Sequence, residues 1–329
     1  MIGETAHELA FPLVSVVVPV FNIGASVAEL WSKLQSVDYP SLEFIIVDDD
    51  SQDDTLERLR QLLQNEGRVS ILARGVNGGP GAARNTGLLS AKGKWVWFAD
   101  WDDEWSPTGV SHMVAEGENS GADVIVARAR WVFDGAISSY TDGLAEPAVM
   151  SGSDAFRHIL LGDVRGYLWS KLFRKSNIAT APFRNIRTHE DLCFVADSFS
   201  TAFIVRFVPV TVYWHVQRNG SLSQRPFSGS HDITRAREHI HVVTRRLGLR
   251  DQFRKELNFY DHKLWLLDRG LNALRSHSPG GSHELRLIMK QLRVSKIVGV
   301  FEFDWRVATK CMILKCFGPA LPGLLRWRK

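Results

Sequence analysis

The first hundred residues alternate apolar, β-branched segments with amphipathic ones, and this alternation limits the fold more than any other feature of the chain. The run at residues 14–20, VSVVVPV, is typical of a strand buried in a parallel sheet. Similar strands are predicted at 44–47, 69–72 and 95–99, with helices over 27–34, 56–63 and 82–91. Four strands joined by three helices predict a right-handed, doubly wound α/β layer.

Beyond residue 105 the alternation is less regular. Strands are predicted at 124–126 and 203–213, and helices at 153–161 and 190–199. Between residues 253 and 274, apolar side chains at spacings of three and four predict one long helix. We expect an α/β domain over 1–228, with halves at about 12–105 and 106–228, and a helical region over 229–329.

The composition is that of a folded globular protein, since 45% of the 329 residues are hydrophobic and 23% are charged. These fractions exclude a disordered, collagen-like or coiled-coil chain. The three cysteines follow no metal-ligand spacing, which favours a reducing compartment. The N-terminal segment lacks the pattern of a signal peptide, and no stretch of 18 uncharged apolar residues occurs. We expect a cytoplasmic protein without a membrane span.

The net charge of +4 is unevenly distributed along the chain. From Lys290 to the C-terminus, nine Lys or Arg residues stand against Glu302 and Asp304. A basic end on a mildly acidic body indicates an anionic surface as a partner. The same distribution argues against a nucleic-acid groove along the whole protein.

Acidic residues follow two of the predicted strands. Asp48, Asp49 and Asp50 end the second strand, and Asp100, Asp102 and Asp103 follow the fourth. Ligands of open α/β sheets bind at the carboxyl ends of the strands, where these six carboxylates would repel one another. A divalent ion such as Mg²⁺ or Mn²⁺ with a phosphorylated ligand would compensate that repulsion. Capping of the following helices is the alternative interpretation, and it is preferred for Asp53 and Asp54.

Four blocks of the sequence resemble the signature blocks of family 2 glycosyltransferases, in the same order and spacing. They are VSVVVPVFN at 14–22, VDDDSQDDT at 47–55, NGGPGAARNTGL at 77–88 and FADWDDEW at 98–105. The resemblance implies the GT-A fold, a Rossmann-like mixed sheet, here with a helical C-terminal extension. It also implies an inverting, metal-dependent enzyme. Such an enzyme moves a sugar from a nucleoside-diphosphate donor, usually UDP, to a hydroxyl of a glycan or lipid-linked acceptor in surface polysaccharide synthesis.

The resemblance assigns the donor-binding residues one by one. Asp49 matches the acid that binds the nucleotide base, and Asp50 stands where the family usually has glycine. Asp100 matches the residue near the ribose and the metal, and Asp102 matches the ligand of the Mn²⁺ or Mg²⁺ that bridges the diphosphate. The wall around base and ribose is matched by Val18, Pro19, Val20 and Asn22.

Arg84 follows a glycine-rich turn in which the backbone can approach a ligand closely. We expect Arg84 to contact the donor, with a surface arginine at a helix start as the alternative. The turn is not a dinucleotide fingerprint, because it lacks the G-x-G-x-x-G spacing and follows the third strand rather than the first.

The acceptor half carries weaker matches to the same family. In RTHEDLCF, Asp191 matches the general base that takes the acceptor proton and Glu190 its neighbour, although two acids also stabilise a helix start. The predicted acceptor-binding residues are Trp101, which can stack on a sugar, with Trp169 and Lys171 of a W-x-K-L block. In YWHVQRNGSLS at 213–223, the resemblance places His215 and Arg218 at the diphosphate, with packing as the alternative for both.

Two rival functions remain at this stage. A sugar-phosphate nucleotidyltransferase shares the α/β layer, but it would need a G-x-G-T-R stretch where this chain reads FNIGAS. A scaffold that binds a glycan or a partner without turnover is the second rival. The acids Asp100, Asp102 and Asp191 argue against it.

The C-terminal segment 305–329 carries six Lys or Arg residues and no acid, mixed with large apolar side chains. This mixture predicts contact with an anionic membrane surface, peripheral on its inner face. Pro319 and Pro322 limit the predicted helix to about residues 307–317. A helix docked on the catalytic domain is the alternative.

Overall fold

The computed structural model describes residues 11–133, 135–179, 182–186, 188–216, 230–275 and 279–318. The chain divides into two compact units. The first contains the described residues of Met1–Gly152 and Tyr167–Gln217, and the second those of Ser153–Gly166 and Arg218–Lys329. Residues 153–166 therefore belong with the C-terminal helices, although the sequence predicts them within the α/β domain. The predicted boundary at 228 lies outside the described residues.

Within the described residues, ten strands of the first unit form one mixed sheet. The main order of the strands is β3-β2-β1-β4-β9-β6-β10-β5, with β7 beside β6 and β8 beside β10. The strands are β1 (Val14–Val20), β2 (Leu42–Asp48), β3 (Val69–Ala73), β4 (Trp95–Phe98), β5 (Glu104–Trp105), β6 (Val124–Phe133), β7 (Ala136–Asp142), β8 (Ala148–Met150), β9 (Lys171–Arg174) and β10 (Val205–Val216).

The first four strands are parallel, as the sequence predicts. β1 lies between β2 and β4, and Val20 is the ladder partner of Asp48. The carboxyl ends of β1, β2 and β4 therefore meet at one edge of the sheet, which brings the two acidic segments to the same place. The antiparallel strand β9 separates β4 from β6, while β10 runs parallel to β6.

Helices cover both faces of this sheet. On one face, Trp95 and Trp97 pack in a core cluster with apolar residues of two helices, α1 (Val27–Gln35) and α4 (Gly109–Ser120). Gly117 lets α4 approach the sheet, because a Cβ there would lie 2.6 Å from the Trp95 ring. The other face is covered by α6 (Glu190–Thr201) and is called the α6 face. There Phe98 of β4 packs on Phe194 of α6, with ring centroids 5.5 Å apart. The helices of this unit are α1 (Val27–Gln35), α2 (Thr55–Leu63), α3 (Pro80–Ser90), α4 (Gly109–Ser120) and α6 (Glu190–Thr201).

The second unit is helical in its described residues. Its helices are α5 (Gly152–Leu161, whose first residue lies in the first unit), α7 (Ser230–Arg246), α8 (Arg254–Tyr260), a π-helix (Asp261–Leu267), α9 (Asp268–Arg275), α10 (Pro279–Gln291), α11 (Val294–Val298) and α12 (Trp305–Phe317). The long helix predicted over 253–274 is present as continuous helical backbone from Arg254 to Arg275, and its middle segment is the π-helix rather than an α-helix. A π-turn adds a residue per turn, and Trp265, Leu266 and Leu267 all reach the core of the unit. No helix of the described residues has the length and apolar content to cross a membrane.

Candidate active site

The loops at the carboxyl edge of the sheet contain unusual backbone. Among the described residues, the non-glycine residues with positive φ are Asn22 (53°), Asp50 (65°) and His189 (67°). All three lie in segments predicted to bind donor or acceptor. Left-handed backbone is unfavourable for residues with a Cβ, and Asn and Asp tolerate it best. The value at Asp50 gives a physical reason for the glycine that the family usually has at that position.

Asp49 holds the glycine-rich turn against the end of β2. The residue is 3% exposed, and its carboxylate accepts hydrogen bonds from the backbone N–H of Gly79 (2.7 Å) and Gly78 (3.2 Å). The guanidinium of Arg74 also donates to this carboxylate. Gly78 must be small, because a Cβ there would lie 2.8 Å from that of Ala82. Asp49 therefore fixes the turn that leads into α3.

The predicted wall residues join the loops that follow β1 and β2. The side-chain oxygen of Asn22 accepts from the backbone N–H of Gln52 at 2.8 Å, and its own N–H donates to Ser51 Oγ at 2.8 Å. Val20 is buried, and Pro19 lies beside it in β1. These contacts fix the two loops relative to each other.

Arg84 lies between the acids of the donor half and those of the acceptor half. Its Nη2 donates to Asp100 Oδ1 at 2.8 Å, and its Nη1 donates to Glu190 Oε1 at 3.0 Å. The residue is 6% exposed. Gly81 lets α3 approach α6, since a Cβ there would lie 2.8 Å from Glu190 Cγ. With both terminal nitrogens bound to acids, the contact that places Arg84 here is to protein, and the prediction of a donor contact is not supported by this geometry.

Glu190 and Asp191 begin α6 and differ in their surroundings. Burial, together with the negative charge of Asp191, raises the pKa of Glu190 to about 7. Burial also raises the pKa of Asp191. The carboxylate of Glu190 accepts a hydrogen bond from Arg84. Asp191 is partly exposed. Among the described residues, its Oδ1 accepts a hydrogen bond only from the backbone N–H of Leu192, at 2.7 Å. Asp191 is thus the carboxylate better placed to meet a substrate hydroxyl.

The acids after β4 have three different surroundings. The side chain of Asp100 is 30% exposed and is paired with Arg84. Asp102 is partly exposed. Asp103 is buried, and its carboxylate accepts from Tyr213 Oη (3.0 Å), His215 Nδ1 (3.0 Å) and the Val216 N–H (2.9 Å). Asp103 therefore attaches the loop to β10 and is not available to a ligand.

Asp103 also orients His215, a pair that the sequence did not predict. Burial disfavours the charged imidazole, but the hydrogen bond and charge of Asp103 outweigh it and raise the pKa of His215. With Nδ1 bound to Asp103, the orientation of Nε2 is fixed. The run of acids after β4 predicted a site, but the sequence did not indicate which of these acids would be buried. Arg218, which the resemblance places with His215 at the diphosphate, lies outside the described residues.

Two predicted acceptor-binding residues are corrected by their burial. Lys171 is fully buried, and its Nζ donates to the Tyr167 carbonyl (2.6 Å) and to Asp142 Oδ2 (3.2 Å). Trp169 is 4% exposed, with its ring stacked on Tyr213 at a centroid distance of 4.5 Å. Both side chains stabilise the core. Trp101 is partly buried, and its acceptor contact stays a prediction.

The donor set after β4 fits a hard divalent cation. Carboxylate oxygens are the ligands that Mg²⁺ prefers, and Mg²⁺ is commonly held by one or two carboxylates together with substrate phosphates. Asp100 and Asp102 supply two such carboxylates at the sheet edge. The described residues contain no group of three or more His, Cys, Asp or Glu side chains able to hold an ion alone, so phosphate oxygens would have to complete the coordination.

The buried position of Arg84 leads to a prediction about stability. We expect Arg84→Met to lower the free energy of unfolding by about 3–5 kcal/mol, because Asp100 and Glu190 lose the charge that compensates them. The loss should be larger at pH 8 than at pH 6, since Glu190 is protonated below its raised pKa and ionised above it. Urea denaturation at both pH values measures this difference.

The control for this measurement is Arg60→Met on the exposed side of α2. An exposed substitution should change stability by no more than about 0.5 kcal/mol. Equal losses in the two variants, or a loss in Arg84→Met that does not depend on pH, would contradict the bridging role of Arg84.

Comparisons with known proteins show what this chain is similar to. Residues 15–162 match the family model "Glycosyl transferase family 2". The chain is 26% identical over 236 residues to the glycosyltransferase YibD of Escherichia coli K12, covering 70% of this chain and 68% of YibD. It is 32% identical over 114 residues to the GalNAc(5)-diNAcBac-PP-undecaprenol beta-1,3-glucosyltransferase of Campylobacter jejuni, covering 34% of this chain and 37% of that enzyme.

A solved structure supports the fold. The crystal structure of S. aureus TarS 1-349 in complex with UDP-GlcNAc superposes with a TM-score of 0.71 at 18% identity, covering 92% of this chain and 90% of the TarS 1-349 chain. The fold class expected from the sequence, a mixed α/β sheet of the GT-A type with C-terminal helices, is confirmed. Residues 15–162 thus resemble glycosyl transferase family 2, and the protein is a glycosyltransferase.

Proposed function

We propose that this glycosyltransferase moves a sugar from a nucleoside-diphosphate donor, with UDP as the nucleotide, to a hydroxyl of a glycan or lipid-linked acceptor in surface polysaccharide synthesis. The observation that carries the proposal is the double contact of Arg84 with Asp100 and Glu190. It holds the acids predicted to bind the donor beside the acids predicted to activate the acceptor. Transfer between two substrates requires this proximity.

The reaction proposed is a direct displacement with inversion. Asp191 takes the proton of the acceptor hydroxyl as that oxygen attacks the anomeric carbon of the donor, and the nucleoside diphosphate leaves. A Mn²⁺ or Mg²⁺ ion held by Asp102 and Asp100 would neutralise the charge that develops on the leaving diphosphate. His215, held by Asp103, would supply a further positive charge on the same side. Arg84 would keep Asp100 and Glu190 in position without contacting substrate.

The nucleotide pocket is proposed at Asp49 and the loops after β1 and β2. A base bound at Asp49 would share the carboxylate with the turn of Gly78 and Gly79 or replace the contact of Arg74. Binding would then be coupled to the position of the turn. The UDP-GlcNAc bound by TarS supports uridine as the first nucleotide to test.

A thermal-shift screen tests the proposal. A ligand that binds only the folded state raises stability by RT ln(1 + [L]/Kd). UDP-sugars are expected to raise the melting temperature in Mn²⁺ and to do so much less in EDTA. A screen of all nucleotide sugars without any shift would contradict the proposal. Conversion of a UDP-sugar and added pyrophosphate into UTP and a sugar 1-phosphate, instead of release of UDP, would favour the nucleotidyltransferase alternative. Binding without turnover would favour the scaffold.

We also propose that the enzyme binds an anionic membrane surface through α12. The buried side of this helix packs in the second unit, while Trp305 (62% exposed), Ile313 (42%) and Phe317 (59%) lie on the opposite side at spacings of eight and four. Arg306 and Lys310 are exposed beside them. Aromatic and aliphatic side chains flanked by cations suit the interface of an anionic bilayer. The undecaprenol-linked substrate in the name of the C. jejuni relative is consistent with a membrane location.

The triple variant Trp305→Ser, Ile313→Ser and Phe317→Ser is expected to bind phosphatidylglycerol vesicles at least about tenfold more weakly than the wild type, because it loses apolar area for insertion. Sedimentation with vesicles measures the binding. The control replaces three exposed apolar residues of the first unit, Val76, Leu89 and Phe203, by Ser. Equal recovery of the two variants and the wild type on the vesicles would reject the membrane surface.

A further inference from the structure

Two arginines of β6 carry positive charges that no acid in the described residues neutralises. Arg128 and Arg130 are two residues apart in one strand, so both side chains stand on the same face of the sheet, about 7 Å apart along the strand. Each is partly exposed, and the Nε atom of each is buried without a hydrogen-bond partner. Two like charges at this spacing repel each other unless an anion lies between them.

Three other arginines of the first unit have acceptors for their guanidinium groups. Arg74 pairs with Asp49, and Arg206 pairs with Glu116 at 2.8 Å. Arg174 donates to the Ala122 carbonyl at 2.8 Å. Acceptors are therefore present for these guanidinium groups, whereas the described residues place none at the Nε atoms of Arg128 and Arg130.

The two arginines lie on the α6 face of the sheet. Val124 and Val126 of the same strand are ladder partners of Phe173 and Lys171, and Phe173 packs on Phe194 of α6 at 4.9 Å. Strand alternation places Arg128 and Arg130 on this face as well. It is the face covered by the helix that begins with Glu190 and Asp191. Trp214, the ladder partner of Arg130, is partly exposed beside it.

We propose that Arg128 and Arg130 bind a phosphate or carboxylate group of the acceptor. A guanidinium presents two parallel donors that match the oxygens of either anion, and such charge-assisted pairs are the strong ones. The indole of Trp214 adds an apolar surface for a sugar ring next to the charge. The inference rests on the proposed transfer to a glycan or lipid-linked acceptor, and it narrows the substrate class to acceptors that carry an anion near the hydroxyl that reacts.

Titration calorimetry with three oligosaccharide probes tests this site without turnover. The probes are a short glycerol-phosphate oligomer, a galacturonic acid oligosaccharide and neutral maltotetraose, which distinguish a phosphodiester from a carboxylate source. We expect the wild type to bind one anionic probe and not the neutral one, with an affinity that falls as salt rises. The double variant Arg128→Gln and Arg130→Gln should bind that probe at least about tenfold more weakly.

The matched control removes two positive charges elsewhere on the same unit, by Arg60→Gln and Lys92→Gln, both exposed. It should retain the affinity of the wild type. If the double variant fails to fold, the single variants carry the test, each with a smaller loss. Equal affinity in variant and wild type, equal loss in the control, or no binding of either anionic probe would overturn the proposal. The thermal shift with UDP and Mn²⁺, measured on the same proteins, reports separately on the donor site, so failure of the proposed function is distinguished from failure of the anion site.

Discussion

Replacing Asp191 by Asn is expected to lower kcat about 10²- to 10⁴-fold while nucleotide binding is retained. The amide keeps the size of the side chain, and its oxygen can still accept the hydrogen bond of the Leu192 N–H. It cannot accept the proton of the acceptor hydroxyl. Single-turnover assays with donor and acceptor measure the loss, and calorimetry with UDP measures the binding. The variant Asp197→Asn, on the same helix, is the control.

The alternative base is Glu190, because it is the adjacent carboxylate. Its buried position and its bond to Arg84 make it the weaker candidate. A kcat close to that of the wild type in Asp191→Asn would contradict the assignment and make Glu190→Gln the next variant to measure. A large loss in Asp191→Asn together with lost UDP binding would instead indicate damage to the site as a whole.

The pH dependence of kcat/KM follows from the same pair. A base acts only when it is ionised, so activity should rise with pH through the pKa of Asp191, and burial places this rise above the range of an ordinary aspartate. The positive charge of Arg84 opposes this effect of burial and offsets part of the increase in the pKa of Asp191. Arg84→Met should therefore move the rise to higher pH, and Asp191→Asn should abolish it.

The sequence predicted the donor half of the fold because each element there is signalled locally. β1 and β2 are apolar runs, and α1, the helix between them, repeats apolar residues at helical spacing. β9 carried no such signal, since four residues, KLFR, are too few to show a period. Its insertion between β4 and β6 makes the sheet mixed, and only pairing with two distant strands fixes it there.

The candidate site was predicted in its residue types but not in its pairings. Arg84 and Glu190 are 106 positions apart, and Asp103 and His215 are 112 apart. No periodicity relates residues at such separations, so a sequence can indicate that acids gather at an edge without indicating which of them meets a cation. Lys171 shows the same limit, because its buried partner Asp142 lies on a strand that the sequence did not predict.

Asp102→Ala is expected to abolish transfer and metal-dependent nucleotide binding while the fold is retained. Asp103, one residue further, is 1% exposed, so its loss would damage the attachment of the loop to β10. Asp102 is partly exposed and lies in the loop after β4. Removing one of the two carboxylates proposed for the ion should therefore affect the ion and the diphosphate more than the folding of the sheet.

Calorimetry with UDP, in Mn²⁺ and in EDTA, separates the two contributions to binding. In the wild type, Mn²⁺ should raise the affinity for UDP, because the cation joins the carboxylates to the diphosphate. In Asp102→Ala the two titrations should coincide. The control is Asp54→Ala, which removes an exposed acid paired with Arg58 on α2. A UDP affinity in Mn²⁺ that is the same in Asp102→Ala and the wild type would remove Asp102 from the metal site, and the ion would then have to be held by Asp100 with the phosphates alone.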